Sequence, residues 1–336
     1  MPRPVPLLRI DDPVMVLGGP YSNLEATRAA LAEATRLAIP PQRIICTGDV
    51  VAYGADPAAT VELVRGSVRH VVMGNCEQSI AADATDCDCG FPKGSTCERL
   101  SAAWFAHAMR ELNVDARAWM AGLPRRIDVE MSRCRLAVIH GGVDIINRFI
   151  FASSATAIKL EEIGKAGVDG IIAGHCGLPF TQTINGRLWH NPGAIGMPAN
   201  DGTPRVWFSL LRADADGIVI EHRALDYDFS TAASKIRGAD LPEEYAASLE
   251  TGLWPSCDVL PLNEAHECGT ALEQSCAFWS RSPPSDVASR RKRSPVCTQL
   301  WPRSDRDTMP KPRPQRFKDR RFLPAVGRAR ASRHSG

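Results

Sequence analysis

The chain has 336 residues, 44% hydrophobic and 23% charged, enough apolar material for one large core or two modest ones. No run approaches the roughly 18 apolar residues of a membrane helix, and the opening MPRPVPLLRI lacks the apolar segment of a signal peptide, so the expectation is a globular protein of the cytoplasm with no membrane partner. The odd count of 11 scattered cysteines points to thiols in a reducing compartment, and the formal charge of +2 hides a basic end: Lys and Arg outnumber Asp and Glu by ten from Ala265 to Gly336, leaving an acidic body that argues against a nucleic-acid groove on the folded domain.

In chain order, PVMVLG predicts a first buried strand, and GGPYSNLE turns it into a helix. Ser22 with Glu25 has the spacing of a capping box, and Leu24, Thr27, Leu31, Ala34 and Ala38 follow at helical period, so the helix is expected to start at or near Ser22. Further Val- and Ile-rich runs, RIICTG, RHVVMG, CRLAVIHG and DGIIAGH, alternate with helical patterns, the signature of an α/β protein. After Gly186 come RLWHNPG, PRVWFSLL and GIVIEHRAL, read as antiparallel strands, then a helix from Leu241 to Leu249. Mixed sheets are the consequence. Beyond about Leu262 the periodicity ends, and the Pro/Arg/Ser-rich remainder cannot bury a core. The expected organisation is one domain over 1–260, with a Cys-containing insertion at 79–99, followed by a disordered basic tail over 261–336.

Four strand ends carry polar residues: GDVVAYG with Asp49, GNCE with Asn75, IHGG with His140 and GHCG with His175. A turn accounts for each one singly. Together they belong to loops that converge at the C-terminal edge of an α/β sheet, where ligands bind. A carboxylate, an amide oxygen and two imidazoles make an N₂O₂ set suited to a divalent ion such as Mn, Fe or Zn. With one anion among four ligands the centre stays net positive and attracts phosphate oxygens.

GDVVAYG, GNCE, HGG, GHCGLPF and NPGAIGMPANDGTPR, in this order, resemble the calcineurin-like metallophosphoesterases, in particular a bacterial group related to diadenosine tetraphosphatases. The resemblance covers about residues 13 to 225. It implies a four-layer α/β/β/α sandwich with two mixed β-sheets, and a two-metal centre that hydrolyses phosphate esters. Its first motif, Asp-x-His, falls on Gly19 and Tyr21, and its closing Gly-His-x-His puts Gly177 at the second histidine. The resemblance therefore implies a complete second metal site on Asp49, Asn75, His140 and His175 and a first site without its own ligands: one divalent ion per chain.

Tyr21 then either donates a phenolic hydrogen bond to a phosphate oxygen or packs as an aromatic at the cleft wall. Cys76 stands where many relatives carry a histidine that protonates the leaving group; a buried inert thiol is the expectation. Cys176, Tyr21, Asp11 and His190 are the reserve candidates for a second ion. Cys87, Cys89 and Cys97 match no common zinc spacing, and their insertion reads as a lid beside the site, with a metal or a labile disulfide as the lesser options. The functional expectation is hydrolysis of a phosphate mono- or diester, the substrate a phosphorylated small molecule, by a water the metal activates. The alternative is a weak or inactive pseudo-phosphoesterase acting as a ligand-binding or regulatory module.

Overall fold

The computed structural model describes residues 4–281. Two six-stranded sheets face each other. The first runs β1 (Leu7–Arg9), β5 (Arg126–Met131), β6 (Cys134–Ile139), β7 (Gly170–Ala173), β9 (Arg187–Pro192) and β8 (Pro179–Ile184); the second runs β12 (Ser275–Trp279), β11 (Gly217–Leu225), β10 (Val206–Asp214), β2 (Val14–Leu17), β3 (Ile44–Cys46) and β4 (His70–Val71). β2, β3 and β4 are parallel, as are β6, β7 and β9 and the edge pair β1 and β5, whereas β5–β6, β9–β8 and the β2–β10–β11–β12 run pair antiparallel. Both sheets are thus mixed, and the expected four-layer α/β/β/α sandwich is the fold. RLWHNPG forms β9, which is parallel to β7 as well as antiparallel to β8, because the run from β7 to β9 crosses over through the β8 hairpin.

The alternation of each strand explains the layers. Val14, Val16, Ile45 and Ile220 from one sheet meet Val129, Leu136, Val138 and Ile172 from the other in the central core. The residues between them point outward yet are just as buried, with Met15 at 0% and Ile171 at 0% exposure, so both outer faces need a helical cover. On the first sheet α6 (Thr156–Ala166) supplies Ile163 and Ala166 against Ala137, Ile139, Ile171 and Trp189. On the second, α1 (Leu24–Arg36) buries Ala26, Ala30 and Ala34 and packs beside α2 (Pro57–Ser67) and α7 (Phe229–Gly238). Two further helices, α3 (Asn75–Ala81) and α4 (Thr96–Glu111), flank the strand-end crevice, with α5 (Val114–Ala121) packed on α3 and α8 (Glu243–Thr251) on α7.

Two sequence expectations shift. The cap of α1 is Asn23: its Oδ1 accepts from Ala26 N at 3.0 Å, while Ser22 is held in a left-handed turn (φ 56°) with its hydroxyl buried and unbonded. The ordered body also continues past residue 260. A short helix, α9 (Leu262–His266), precedes β12, which pairs antiparallel with β11 from Ile218↔Trp279 to His222↔Ser275, and Trp279 is 1% exposed with its indole N–H donating to Gly186 O. An edge strand of five residues carries too little periodicity to be read from sequence. The expectation of a disordered tail is left to residues 282–336, which lie outside the described residues. Among the described residues no helix is long and apolar enough to cross a membrane.

Candidate metal centre

The C-terminal ends of β3, β4, β6 and β7 meet at one edge of the sandwich, and the loops leaving them bring Asp49, Asn75, His140 and His175 together. Asp49 is in left-handed backbone (φ 55°), as are Tyr21 (50°) and His175 (57°), so non-glycine strain gathers at this crevice. Glu77, on α3, holds the Asp49 turn in that shape. Its carboxylate accepts from the backbone N–H of Asp49 (2.8 Å), Val50 (2.8 Å) and Gly74 (2.9 Å) and is itself fully buried. Burial and the neighbouring Asp49 charge push the Glu77 carboxyl up to about 7 in spite of those donors. Gly74 is obligatory, because a Cβ there would run into the Asp49 carboxylate.

The orientation of each ligand is set by what lies behind it. His140 Nδ1 is 2.7 Å from Thr47 O, which can only accept, so Nδ1 carries the proton and the Nε2 lone pair faces the crevice. Asn75 Nδ2 donates to Cys87 O at 3.0 Å, which turns its Oδ1 inward. Around His140 Nε2 then lie Asp49 Oδ2 at 3.2 Å, Asn75 Oδ1 at 3.1 Å and His175 Nδ1 at 3.0 Å. Ligands about 2.0–2.2 Å from an ion in a tetrahedral array stand about 3.3–3.6 Å apart; the three separations from His140 Nε2 come within a few tenths of an ångström of that spacing, and the Asp49, His140 and His175 ligand atoms all lie within 4.8 Å of one another. Even a protonated Nε2 could offer one hydrogen to three acceptors. A shared divalent cation satisfies all four.

The electrostatics agree. Burial would raise the Asp49 carboxyl, but His140 and His175 hold it below the usual carboxylate range; burial would lower His140, but Asp49 raises it. Burial and then His140 push His175 down to about 3, leaving it neutral and able to donate a lone pair. Cys76 is 1% exposed, and burial lifts its thiol well above the usual range, so it is the inert thiol expected and no general acid.

The other half of the crevice is filled. A Cβ added to Gly19 would collide with the Tyr21 ring, which therefore occupies the volume a ligand at position 19 would need. Gly177 (φ 70°) faces the same place: its Cβ would sit 3.8 Å from Tyr21 Oη and 3.6 Å from the Trp254 ring. Tyr21 stands at the wall beside His175, lining a cavity with it. The reserve ligands do not assemble. His190 is sealed between the sheets, bonded to Ser209 and Thr181; Asp11 is exposed in the β1–β2 link; Cys176 is buried against Asn191.

The 79–99 insertion does lie over the crevice. Its Cys87 and Cys89 are disulfide-bonded, the lesser option weighed for this insertion, and Cys97 sits apart at the cavity wall. The insertion is tied down through Asn147 Nδ2, which donates to Asp88 O (2.9 Å) and Oδ1 (3.0 Å). Sequence reasoning missed Glu77, Asn191, which donates to Gly174 O behind His175, and Trp254. Glu77 and Asn191 stand inside the motifs GNCE and HNPG and could have been suspected there; Trp254 has no local signal, since it reaches the site only through the tertiary fold.

The family profile of the calcineurin-like phosphoesterase superfamily domain matches residues 22–215. Over 247 residues, 68% of this chain and 94% of the relative, the sequence is 26% identical to an uncharacterised protein, MJ0912, of Methanocaldococcus jannaschii. Among solved structures, a metallophosphoesterase from Sphaerobacter thermophilus aligns with TM-score 0.58 at 22% identity, covering 73% of this chain and 100% of that one. The hypothetical protein PH1004 from Pyrococcus horikoshii OT3 aligns with TM-score 0.59 at 18% identity, covering 72% and 99%. The profile spans more than half of the chain and runs through all four converging loops: the chain belongs to the calcineurin-like phosphoesterase superfamily, and with it to the phosphoester hydrolases.

Proposed function

We propose that the protein hydrolyses a phosphate mono- or diester at a centre built for one divalent ion, Mn, Fe or Zn, on Asp49, Asn75, His140 and His175. The observation that carries this is the surplus of acceptors: a carboxylate, an amide oxygen and an imidazole nitrogen converge within 3.2 Å of the free nitrogen of His140. When bound, the ion supplies Lewis-acid polarisation of a phosphoryl oxygen and acidifies water. The chain's own residues do the rest. Asp49 contributes the single negative charge, so the centre keeps a net positive charge that draws in the phosphoryl group. Thr47 O holds the Nδ1 proton of His140 and so turns Nε2 inward, and burial keeps His175 neutral with its lone pair available. Tyr21, at the wall, donates its phenolic hydrogen to a non-bridging phosphoryl oxygen, in place of the second cation of a two-metal centre.

A second reading, a phosphoryl-binding module without turnover, is favoured by one observation: the Tyr21 ring fills the first-site volume beside Gly19. One experiment separates the readings. The full chain is stripped with chelator, reloaded with Mn²⁺, Fe²⁺ or Zn²⁺, and assayed for metal per chain and for hydrolysis of a phosphoester panel. One ion per chain with activity that follows loading is the expected result. Two ions would overturn the one-metal centre, and one ion without turnover on any ester would select the second reading.

A further inference from the structure

Beside the ligand set opens a cavity with about 70 Å³ of room for the centres of water-sized spheres, and its walls are aromatic. On one side Tyr53 stands between Tyr21, with ring centres 5.0 Å apart, and Tyr245, at 5.2 Å. On the other, Phe149 lies with its ring centre 4.2 Å from that of the ligand His175 and stacks on Phe91 from the insertion at 6.2 Å. Trp254 closes the space. Its indole N–H donates to Pro198 O at 2.7 Å and its backbone N–H to Asn200 Oδ1 at 2.8 Å, so the ring is held in place. The indole lies at contact distance, 3.6 Å, from where a Cβ of residue 177 would be, so a side chain longer than alanine at that position would compete with it for the space.

The chemistry of this lining is selective. None of its residues is Lys, Arg, Asp, Glu, Asn or Gln; the polar groups are tyrosine hydroxyls, one serine, two thiols and His175 itself. A polyphosphate chain reaching into it would bury charge with no cation opposite, and the hydroxyls of a sugar or the edges of a base would find few partners. A flat apolar group loses nothing there and gains aromatic contact on several sides.

We infer that this cavity is the specificity pocket of the enzyme and that it takes the uncharged aromatic organic group of a phosphoester carrying a single phosphate, the phosphate lying at the Asp49–His140 end. The inference rests on the phosphoesterase reading for the phosphate, but the pocket's preference is separable from turnover. Neither nucleoside polyphosphates nor sugar phosphates are its substrates. Replacing the family's histidine by Gly177 and filling with Tyr21 are, on this view, one change: they exchange a metal ligand shell for a wall of the pocket.

The test uses two alkyl phosphates of like leaving group, 2-(2-naphthyl)ethyl phosphate and ethyl phosphate, with glucose 6-phosphate and ATP as further arms, on the metal-loaded full chain. The naphthylethyl ester is expected to show kcat/KM about 100-fold above ethyl phosphate, the scale an apolar pocket of this size delivers. Trp254→Ala should cut that ratio at least about tenfold, and Trp254→Phe should keep most of it. A ratio within about threefold of unity, a ratio indifferent to Trp254→Ala, or a preference for glucose 6-phosphate or ATP would overturn the inference. Should no ester be hydrolysed, the phosphoesterase reading fails and calorimetry with 2-(2-naphthyl)ethylphosphonate against ethylphosphonate decides the pocket: tighter binding of the aryl compound that Trp254→Ala removes upholds it, and equal affinities reject it.

Discussion

The two halves of the crevice are built on the same scaffold and have opposite fates. In one, four strand-end loops present Asp49, Asn75, His140 and His175 around a point. In the other, the β2–α1 corner keeps its backbone anchors, with Tyr21 N bonded to Asp49 O at 3.2 Å and Ser22 N to Val50 O at 2.9 Å, but offers Gly19 and an aromatic ring. The corner is retained because the sheet edge and the α1 cap depend on its main chain. Its side chains were free to change because metal binding depends on them alone. Backbone architecture and ligand chemistry are therefore separable at one and the same turn.

The largest effect comes from breaking the intact half. His140→Ala, or full chelation, should lower phosphoester turnover by about 1000-fold or more, the several kcal/mol a metal centre contributes. Single-turnover assays with metal analysis would show it, and retained activity without metal would mean the chemistry lies elsewhere. Next comes the residue that shapes this half without lying on its surface. Glu77→Ala leaves a set of buried N–H groups of the Asp49 turn without an acceptor, and is expected to cost about 3–5 kcal/mol in urea unfolding.

A control for the crevice imidazoles lies between the sheets, where His190 and His222 share the Thr181 hydroxyl and take no part in the crevice. Burial holds His222 at about 4 and His190 well below 6.5, so the folded protein keeps both neutral. As pH falls below the unfolded value of 6.5, the unfolded chain takes up protons first. Stability present above pH 6.5 should therefore drain away toward pH 4, by on the order of 3 kcal/mol for His222. Urea midpoints measured across this range, with a His222→Gln variant that flattens the slope, check the sign.

The filled half gives smaller effects and the sharpest contrast. Gly19→Asp alone forces the new side chain into the Tyr21 ring and should destabilise by about 1–3 kcal/mol. Added to Tyr21→His, the same change should cost far less, a non-additivity a double-mutant cycle reads directly. With Gly177→His as well, metal content should rise above one ion per chain; a triple variant that still holds one ion would show that the turn cannot present ligands at all. The smallest effect is expected for Tyr21→Phe, which keeps the ring and removes the hydroxyl. A rate about tenfold lower matches the loss of one ordinary neutral hydrogen bond, about 1.4 kcal/mol, whereas an unchanged rate reduces Tyr21 to a wall.

How much of this was legible beforehand depends on whether the signal is local. The runs that form β3, β4, β6 and β7 are short, apolar and followed within a few residues by Asp49, Asn75, His140 and His175, so the four residues that cluster in the structure could be picked out from the chain alone. Periodicity and motif order are properties of neighbours in sequence. The departures from the resembled motif at Gly19, Tyr21 and Gly177 are equally local.

What only the tertiary structure decided involves residues brought together from far apart. Trp254 arrives at Gly177 from beyond β8 to β11 and α7 to α8, Cys87 O turns the amide of Asn75, and β12 finds its place on the edge of β11 with no pattern of its own. The sequence determined by itself which groups could bind a metal, because ligand chemistry belongs to single residues. That this half is filled by Tyr21 and borders an aromatic cavity was settled by packing, because the volume Tyr21 fills and the wall Trp254 makes are defined only when both sheets and their covering segments are in place.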